Sequence, residues 1–481
     1  MISIKNKVFV VVLSFFFLVG VGMDAYYGKI NYSAILLALM AGIALLQKPE
    51  FLLYALVVSI PWSIEYHFGE GFSIDFPDEP FMLLASGAAL LLLIYRRKEI
   101  RWKVHPLLFI ILLQVLWTII TVATSTDVFV SLKYLLAKTW FLLAFVALPL
   151  FLFKEETIIK RFSVLLLTSM MVAMLVALIR HGEYGWSFEK VNEALQPFFH
   201  NHIDYSALLV FTIPLQIAII QLTKSARQKI LIVCLLIITV VALYLSYSRG
   251  SWLALIAGIF TYWLIQKRML LFGFLLFIFL SVVSVFWLKN NDRYLNYSND
   301  YKTTIFHTNF SEHLIATYKL KDLSNAERIY RWVAGVRMIP DNWQTGIGPT
   351  TFYEQYKSYT VPAFKTYVSD NKEHSTVHNY FLLVLIEQGV IGALLFVSLL
   401  VFMFWYAQKV YHRSNQKLWK VVAATVASIM VMQCVINFLS DMIETDKVGS
   451  VFYLCIAALI VADIKTSRKR SDLPANVKRI S

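Results

Sequence analysis

His378-Asn379-Tyr380-Phe381-Leu382-Leu383-Val384-Leu385-Ile386-Glu387-Gln388-Gly389-Val390-Ile391-Gly392 is where a long polar segment gives way to an apolar run. That polar segment, residues 289–378, is the one large interruption in a chain that otherwise repeats apolar runs from end to end. A run of about 20 apolar residues, wound as a helix, crosses the ~30 Å hydrocarbon core of a bilayer. Lipid offers no partner to a free backbone amide, so helices are the natural spanning element. The chain is 58% hydrophobic and only 15% charged, where a soluble chain carries about 25% charged residues. No alternating ten-residue strands of the barrel type are visible. The fold class expected is therefore all-α, a polytopic membrane bundle of 12–14 helices with one large, partly helical outer loop.

Fourteen candidate spans follow: 7–23, 33–47, 51–64, 80–95, 106–123, 133–152, 160–180, 204–222, 229–247, 250–266, 270–288, 379–406, 419–439 and 447–464. With the N-terminus in the cytoplasm, alternation places 26 of the 44 Lys and Arg on inside connections and tails. Seven fall on short outside connections and the remaining 11 in the long loop. This is the positive-inside pattern, from which long loops are exempt. It also explains the net charge of +14 without nucleic acid, because the charge sits in short clusters between apolar runs. Spans 33–47 and 51–64 are short, and Pro61 lies in the second; the pair reads as two tilted spans or a re-entrant hairpin. The expected divisions are a bundle of about eleven spans (1–288), the loop (289–378), about three further spans (379–464) and a basic, disordered cytoplasmic tail (465–481). That tail can touch anionic lipid. The N-terminus reads as a retained first span rather than a cleaved signal. Cys234, Cys434 and Cys455 lie in apolar runs without CxxC spacing, so neither a disulfide framework nor a zinc site is expected.

Within the loop, Ser324 to Met338 reads as a helix with Ser324 or Asn325 as N-cap. Arg328, Arg331 and Trp332 share one face at i, i+3 and i+4. Gly346-Ile347-Gly348-Pro349 is a tight turn. The tyrosine-rich stretch 353–372 suits a surface that meets carbohydrate or lipid headgroups. His378 stands at the start of a helix, whose dipole disfavours a charged imidazolium; a neutral imidazole there can act as general base. The same place suits a histidine that merely caps a helix, and His374 competes with it. Arg249, in Ser246-Tyr247-Ser248-Arg249-Gly250, sits at an outer helix junction, either snorkelling or offering a bidentate cation to a phosphate. Asp75 and Asp78 suggest a metal site or, more simply, a solvated loop. Glu387 and Asp204 are carboxylates within spans and so functional candidates by default, although Glu387 also suits a plain helix–helix hydrogen bond.

Three separated motifs form a resemblance. His378-Asn379 with Leu382, Leu385, Glu387, Gly389 and Gly392 resembles the signature after the large loop of the O-antigen ligase and O-antigen polymerase family. Arg328 with Trp332, then Pro340, Gly346, Gly348 and Phe352, is similar to that family's loop pattern. Ser248-Arg249-Gly250-Ser251-Trp252 resembles its arginine motif. The resemblance runs from about residue 200 to 406. It implies an inner-membrane glycosyltransferase that needs neither metal nor cofactor. Its donor would be a glycan on undecaprenyl pyrophosphate, and its acceptor a hydroxyl of lipid A-core, of a growing glycan or of a protein, at the periplasmic face. By matching position, His378 would deprotonate the acceptor, and Arg249 and Arg328 would hold the pyrophosphate. Arg331, Trp332 and Asn379 would help bind substrate. A single displacement would invert the anomeric centre. A transporter or flippase is the rival of another class, but it calls for ionisable or broken helices near the midplane.

Overall fold

The computed structural model describes residues 48–67, 73–95, 105–153, 155–297, 323–366, 369 and 376–471. The expected spans 7–23 and 33–47, together with His374, lie outside the described residues. Among the described residues, ten helices are long and apolar enough to cross a membrane. The chain is an all-α polytopic bundle. A short α1 (Pro49–Ser59) precedes a hairpin of β1 (Ile64–His67) and β2 (Ser73–Phe76). Then come α2 (Asp78–Tyr95), α3 (Pro106–Ala123), α4 (Val128–Leu152), α5 (Glu156–Glu183), α6 (His202–Leu222) and α7 (Ala226–Leu245). Helices α8 (Arg249–Gln266) and α9 (Leu270–Lys289) lead to the long loop, which contributes α10 (Leu323–Met338). The last described helices are α11 (Tyr380–Arg413), α12 (Lys417–Leu439) and α13 (Asp446–Ser471).

Several expectations need correction. The run 51–64 is an 11-residue helix followed by a 3-10 turn over Ile60–Trp62, too short to cross by itself, because Pro61 ends the hydrogen-bond ladder. Asp75 and Asp78 do not lie in an irregular solvated loop: Asp75 is in β2, and Asp78 opens α2, buried and accepting a 2.5 Å hydrogen bond from Ser63 Oγ. Ser324 and Asn325 lie inside α10 rather than capping it. Residues 465–471, expected to be disordered, continue α13.

Burial sorts the helices. Helices α6, α12 and α13 form the centre, with 72%, 78% and 83% of their apolar windows buried, against 17% for α7. Ile230 and Ile237 on α7, and Phe272, Phe279 and Phe286 on α9, are exposed. Such a surface is costly in water and ordinary in lipid, where tails are as apolar as leucine. Helix α8 packs along α12 through small residues, and Ser428 Oγ donates to Gly258 O at 2.9 Å. The two ends of the bundle are distinct. At one end Arg413 reaches Asp463 at 2.7 Å and His105 lies 3.6 Å from the same carboxylate. At the other end the hairpin, the α5–α6 and α12–α13 connections and the long loop converge on one cavity. That is the sorting the charge alternation requires of these connections.

The loop is fastened to the bundle through a break in α11. Gly389 adopts φ 68°, ψ −174°, which interrupts the helix. The Val390 amide donates to Trp343 O at 2.8 Å instead of to its own helix. The released carbonyls are satisfied from outside. Ile347 N donates to Ile386 O at 3.1 Å, Gly348 N to Glu387 O at 3.0 Å, and Trp117 Nε1 on α3 to Gln388 O at 2.8 Å. Glu387 Oε1 also accepts from Phe352 N at 3.3 Å, so this intramembrane carboxylate anchors the loop. Thr126 N and Ser131 Oγ take up Ile347 O and Pro349 O from the far side, at 3.0 and 2.8 Å. Every backbone group in a low-dielectric site needs such a partner.

The glycines follow from this close approach. A Cβ on Gly346 would lie 2.3 Å from the Glu387 carbonyl carbon, and one on Gly389 would lie 2.1 Å from Gln344 O. Both have positive φ. Gly346→Ala should destabilise the protein by at least about 1–2 kcal/mol from the left-handed backbone alone. It should also make the loop more susceptible to trypsin. Gly87→Ala, with nothing within 4 Å of the added carbon, should melt like the parent in the same detergent.

Candidate active site at the seam of loop and bundle

The cavity at the loop end has a volume of about 650 Å³. Its walls come from four parts of the chain. The loop gives Glu327, Arg328, Arg331 and His378; the α12–α13 connection with the start of α13 gives Asp441, Glu444 and Lys447. The start of α6 gives Asn201 and Asp204, and the hairpin gives Glu65, Asp75 and Glu79. His378 follows the loop and precedes the α11 cap. Its backbone is left-handed, φ 53°. Asn379 Oδ1 accepts from Leu382 N at 3.0 Å and caps the helix, while Tyr380 N donates to Ser440 O at 3.0 Å and ties α11 to the end of α12.

The His378 ring is held from both sides. Arg331 Nη1 lies 2.7 Å from Nε2. A guanidinium only donates, so Nε2 accepts and the neutral ring carries its proton on Nδ1. Nδ1 faces Asp441 Oδ1 at 3.7 Å, and Asp441 Oδ2 accepts from Thr376 Oγ1. Arg331 is 2% exposed. Its Nη2 lies 3.2 Å from Glu327 Oε2, and Glu327 Oε1 accepts from Thr366 Oγ1 and, at 2.6 Å, from Ser369 Oγ. Tyr356 touches the same guanidinium: burial raises its hydroxyl above the ordinary tyrosine pKa and Arg331 opposes the rise. Tyr356 OH donates to Ser369 O at 3.2 Å, and its ring stacks on Phe352. With Phe364 also buried, Tyr356 and Phe364 of the tyrosine-rich stretch belong to a small core beside Glu327 and Arg331, while Tyr353 and Tyr359 stay half-buried and Lys357 and Ser358 are exposed.

Arg328 is placed differently. Its Nε donates to Leu439 O at 2.9 Å, and it lines both the polar cavity and a second, mainly apolar groove of about 890 Å³. That groove runs between the end of α9 and α10, along Val285, Trp287, Leu288, Ile329, Trp332, Val333 and Leu439. Trp332, expected beside the arginines, faces this groove and packs edge-on against Phe438 at 5.8 Å. Arg249 opens α8 half-buried and is not among the residues lining either cavity. It is near them, since a Cβ on the adjacent Gly250 would lie 3.3 Å from the Leu439 side chain. His378, Arg328 and Arg331 thus meet at one cavity, while Arg249, Trp332 and Asn379 stand around it. Among the described residues, no group of three His, Cys, Asp or Glu has metal-binding geometry.

Residues 234–397 match the O-antigen ligase family model. The match covers roughly a third of the chain, from α7 through the loop into α11, and so includes Arg249, Arg328, Arg331, His378 and the Gly389 break. It supports the family read from the motifs and, more generally, a membrane glycosyltransferase of the ligase or polymerase type. The comparison with curated proteins gave no match.

Sequence reasoning did not single out Glu327, Glu444 or Lys447. Lys447 Nζ donates to Ser63 O at 3.0 Å and to Phe198 O, which joins the hairpin and the α5–α6 connection to α13. The available signal was the acidic connection between the last two spans, on the same side as His378. Glu327→Ala removes the carboxylate from a buried guanidinium. Breaking such a pair costs about 3 kcal/mol or more. The expected result is a lower melting temperature with earlier proteolysis of the loop, whereas Ala363→Ser, at an exposed position of the loop, should leave both unchanged.

Proposed function

We propose that the protein transfers a glycan from undecaprenyl pyrophosphate to an acceptor hydroxyl at the periplasmic face of the inner membrane. The observation that carries this reading is the position of Arg328, the cation shared by a polar cavity and an apolar groove. A lipid diphosphate has the same two halves. Its isoprenoid tail fits a groove lined by Trp287, Trp332 and Leu439. Its diphosphate then meets Arg328 at the boundary, and its sugar enters the cavity that holds His378. Arg249, one side chain away across Leu439, adds positive charge behind the diphosphate.

In the proposed reaction His378 accepts the proton of the acceptor hydroxyl as its oxygen attacks the anomeric carbon. The bond to the diphosphate oxygen breaks on the opposite face, and the diphosphate leaves with the charge that Arg328 is placed to stabilise. One displacement inverts the anomeric centre. Asp441, on the Nδ1 side, favours the imidazolium formed by the transfer. The residues named here supply base and counter-charge without a metal. The acceptor proposed is lipid A-core, which makes the protein an O-antigen ligase; a polymerase or a protein-glycosylating ligase would use the same donor half.

Transfer by purified protein in lipid tests the assignment. His378→Ala should lower the rate about 100-fold or more, the usual contribution of a general base, and Arg328→Ala should lower it comparably. Arg249→Ala should chiefly raise KM for the donor, and a chelator should have no effect. Full activity in His378→Ala contradicts the reading. In a deletion strain, polymer stranded on the carrier lipid supports a ligase, a single repeat on lipid A-core supports a polymerase, and an unchanged lipopolysaccharide ladder contradicts both.

A further inference from the structure

A general base needs a free lone pair, and His378 does not offer one here. Nε2 accepts from Arg331 Nη1 at 2.7 Å, which leaves the ring proton on Nδ1. Neither ring nitrogen can then take a proton from an acceptor hydroxyl without a change of partner. Arg331 is no loose surface side chain that drifts onto the ring. It is 2% exposed and tied to Glu327 at 3.2 Å, and Glu327 is in turn tied to Thr366 and Ser369. Its Nε, buried as well, has no hydrogen-bond partner, although Arg331 forms part of the cavity wall. Arg331 therefore lines the cavity that an anion would enter while its guanidinium holds the ring of His378.

We infer that Arg331 is a positioning residue that masks the base in the empty enzyme, and that a phosphate group of the donor unmasks it by drawing the guanidinium off Nε2. This rests on the reading of His378 as the base. A phosphate oxygen is a stronger acceptor for a guanidinium than a neutral imidazole is, and it can take two N–H groups at once. Glu327 limits how far the arginine travels, so the exchange is a shift of partner at the cavity wall rather than an excursion of the loop. The consequence is order: the acceptor hydroxyl finds a competent base only after the diphosphate has arrived.

The test reads the lone pair directly and needs no turnover. Diethylpyrocarbonate modifies unprotonated imidazole nitrogen. Its rate at His378 is compared by peptide mass spectrometry with that at His200, an exposed histidine lining the same cavity. The protein is the full chain in lipid nanodiscs. Removing a charge-assisted hydrogen bond from Nε2 in Arg331→Gln should raise the His378:His200 ratio about tenfold. A ratio unchanged or lowered overturns the mask. Glu327→Gln keeps an acceptor for Thr366 and Ser369 but loosens Arg331; it should raise the ratio by a smaller factor, and it carries the test if Arg331→Gln does not fold. Inorganic pyrophosphate should raise the ratio in the parent protein and not in Arg331→Gln. If it leaves the parent unchanged or lowers the ratio, unmasking by phosphate is overturned. Loss of transfer in His378→Ala is a separate result, so failure of the mask and failure of the functional reading are told apart.

Discussion

The site depends on an exchange of backbone hydrogen bonds at Gly389. Helix α11 gives up its own bond from Val390, and the loop supplies both the acceptor for that amide, Trp343 O, and donors for the carbonyls of Ile386 and Glu387. A loop with unpaired backbone cannot lie against the apolar part of a bundle. Here the break in the helix and the extended segment of the loop satisfy each other. The consequence is positional. The segment fixes one end of the loop core, that core holds Glu327 and Arg331, and Arg331 meets His378, which enters α11 eleven residues before the break. The ring of contacts closes on itself, which is why a segment outside the bundle can hold a side chain to hydrogen-bond precision.

The cavity wall carries more carboxylates than cations, with Glu65, Asp75, Glu79, Asp204, Glu327, Asp441, Glu444 and Asp446 against Arg328, Arg331 and Lys447. The cations divide by place. Arg328 stands at the edge of the apolar groove, Arg331 bonds the ring of His378, and Lys447 is bound by carbonyl oxygens on the opposite wall. Positive charge reaches the groove edge through Arg328. The groove itself is lined by Lys289, Arg337 and one carboxylate, Asp292, so an anionic head arriving along it meets net positive charge before the carboxylates of the cavity. That order suits a donor that must stop at the boundary while its neutral sugar continues inward.

Much of the fold was legible in the sequence because its cause is local. Apolar runs of membrane length and the bias of Lys and Arg locate helices and sort their ends, and the described connections converge as that sorting requires. The motifs singled out His378 and Arg328, and the two line one cavity. What was not legible depended on contacts distant in sequence. The composition of 353–372 is polar, yet Tyr356 and Phe364 are core, because a small loop core must be made from the few apolar side chains at hand. Helical spacing put Arg328, Arg331 and Trp332 on one face, but that face is wide enough to serve two cavities. Arg331 read only as a substrate-binding neighbour of Arg328, because nothing in the sequence shows that His378 folds back against it. Gly346 read as part of a local turn and Gly389, some forty residues on, only as a motif position; the close approach of their two segments is visible only in three dimensions.

The most direct test is a structure of the protein in a lipid nanodisc with undecaprenyl pyrophosphate bound. The account predicts diphosphate density within hydrogen-bond reach of Arg328, the prenyl chain in the groove beside Trp287 and Trp332, and Arg331 displaced from His378 Nε2 towards a phosphate oxygen. Diphosphate bound away from Arg328, or a prenyl chain on another face of the bundle, would contradict it.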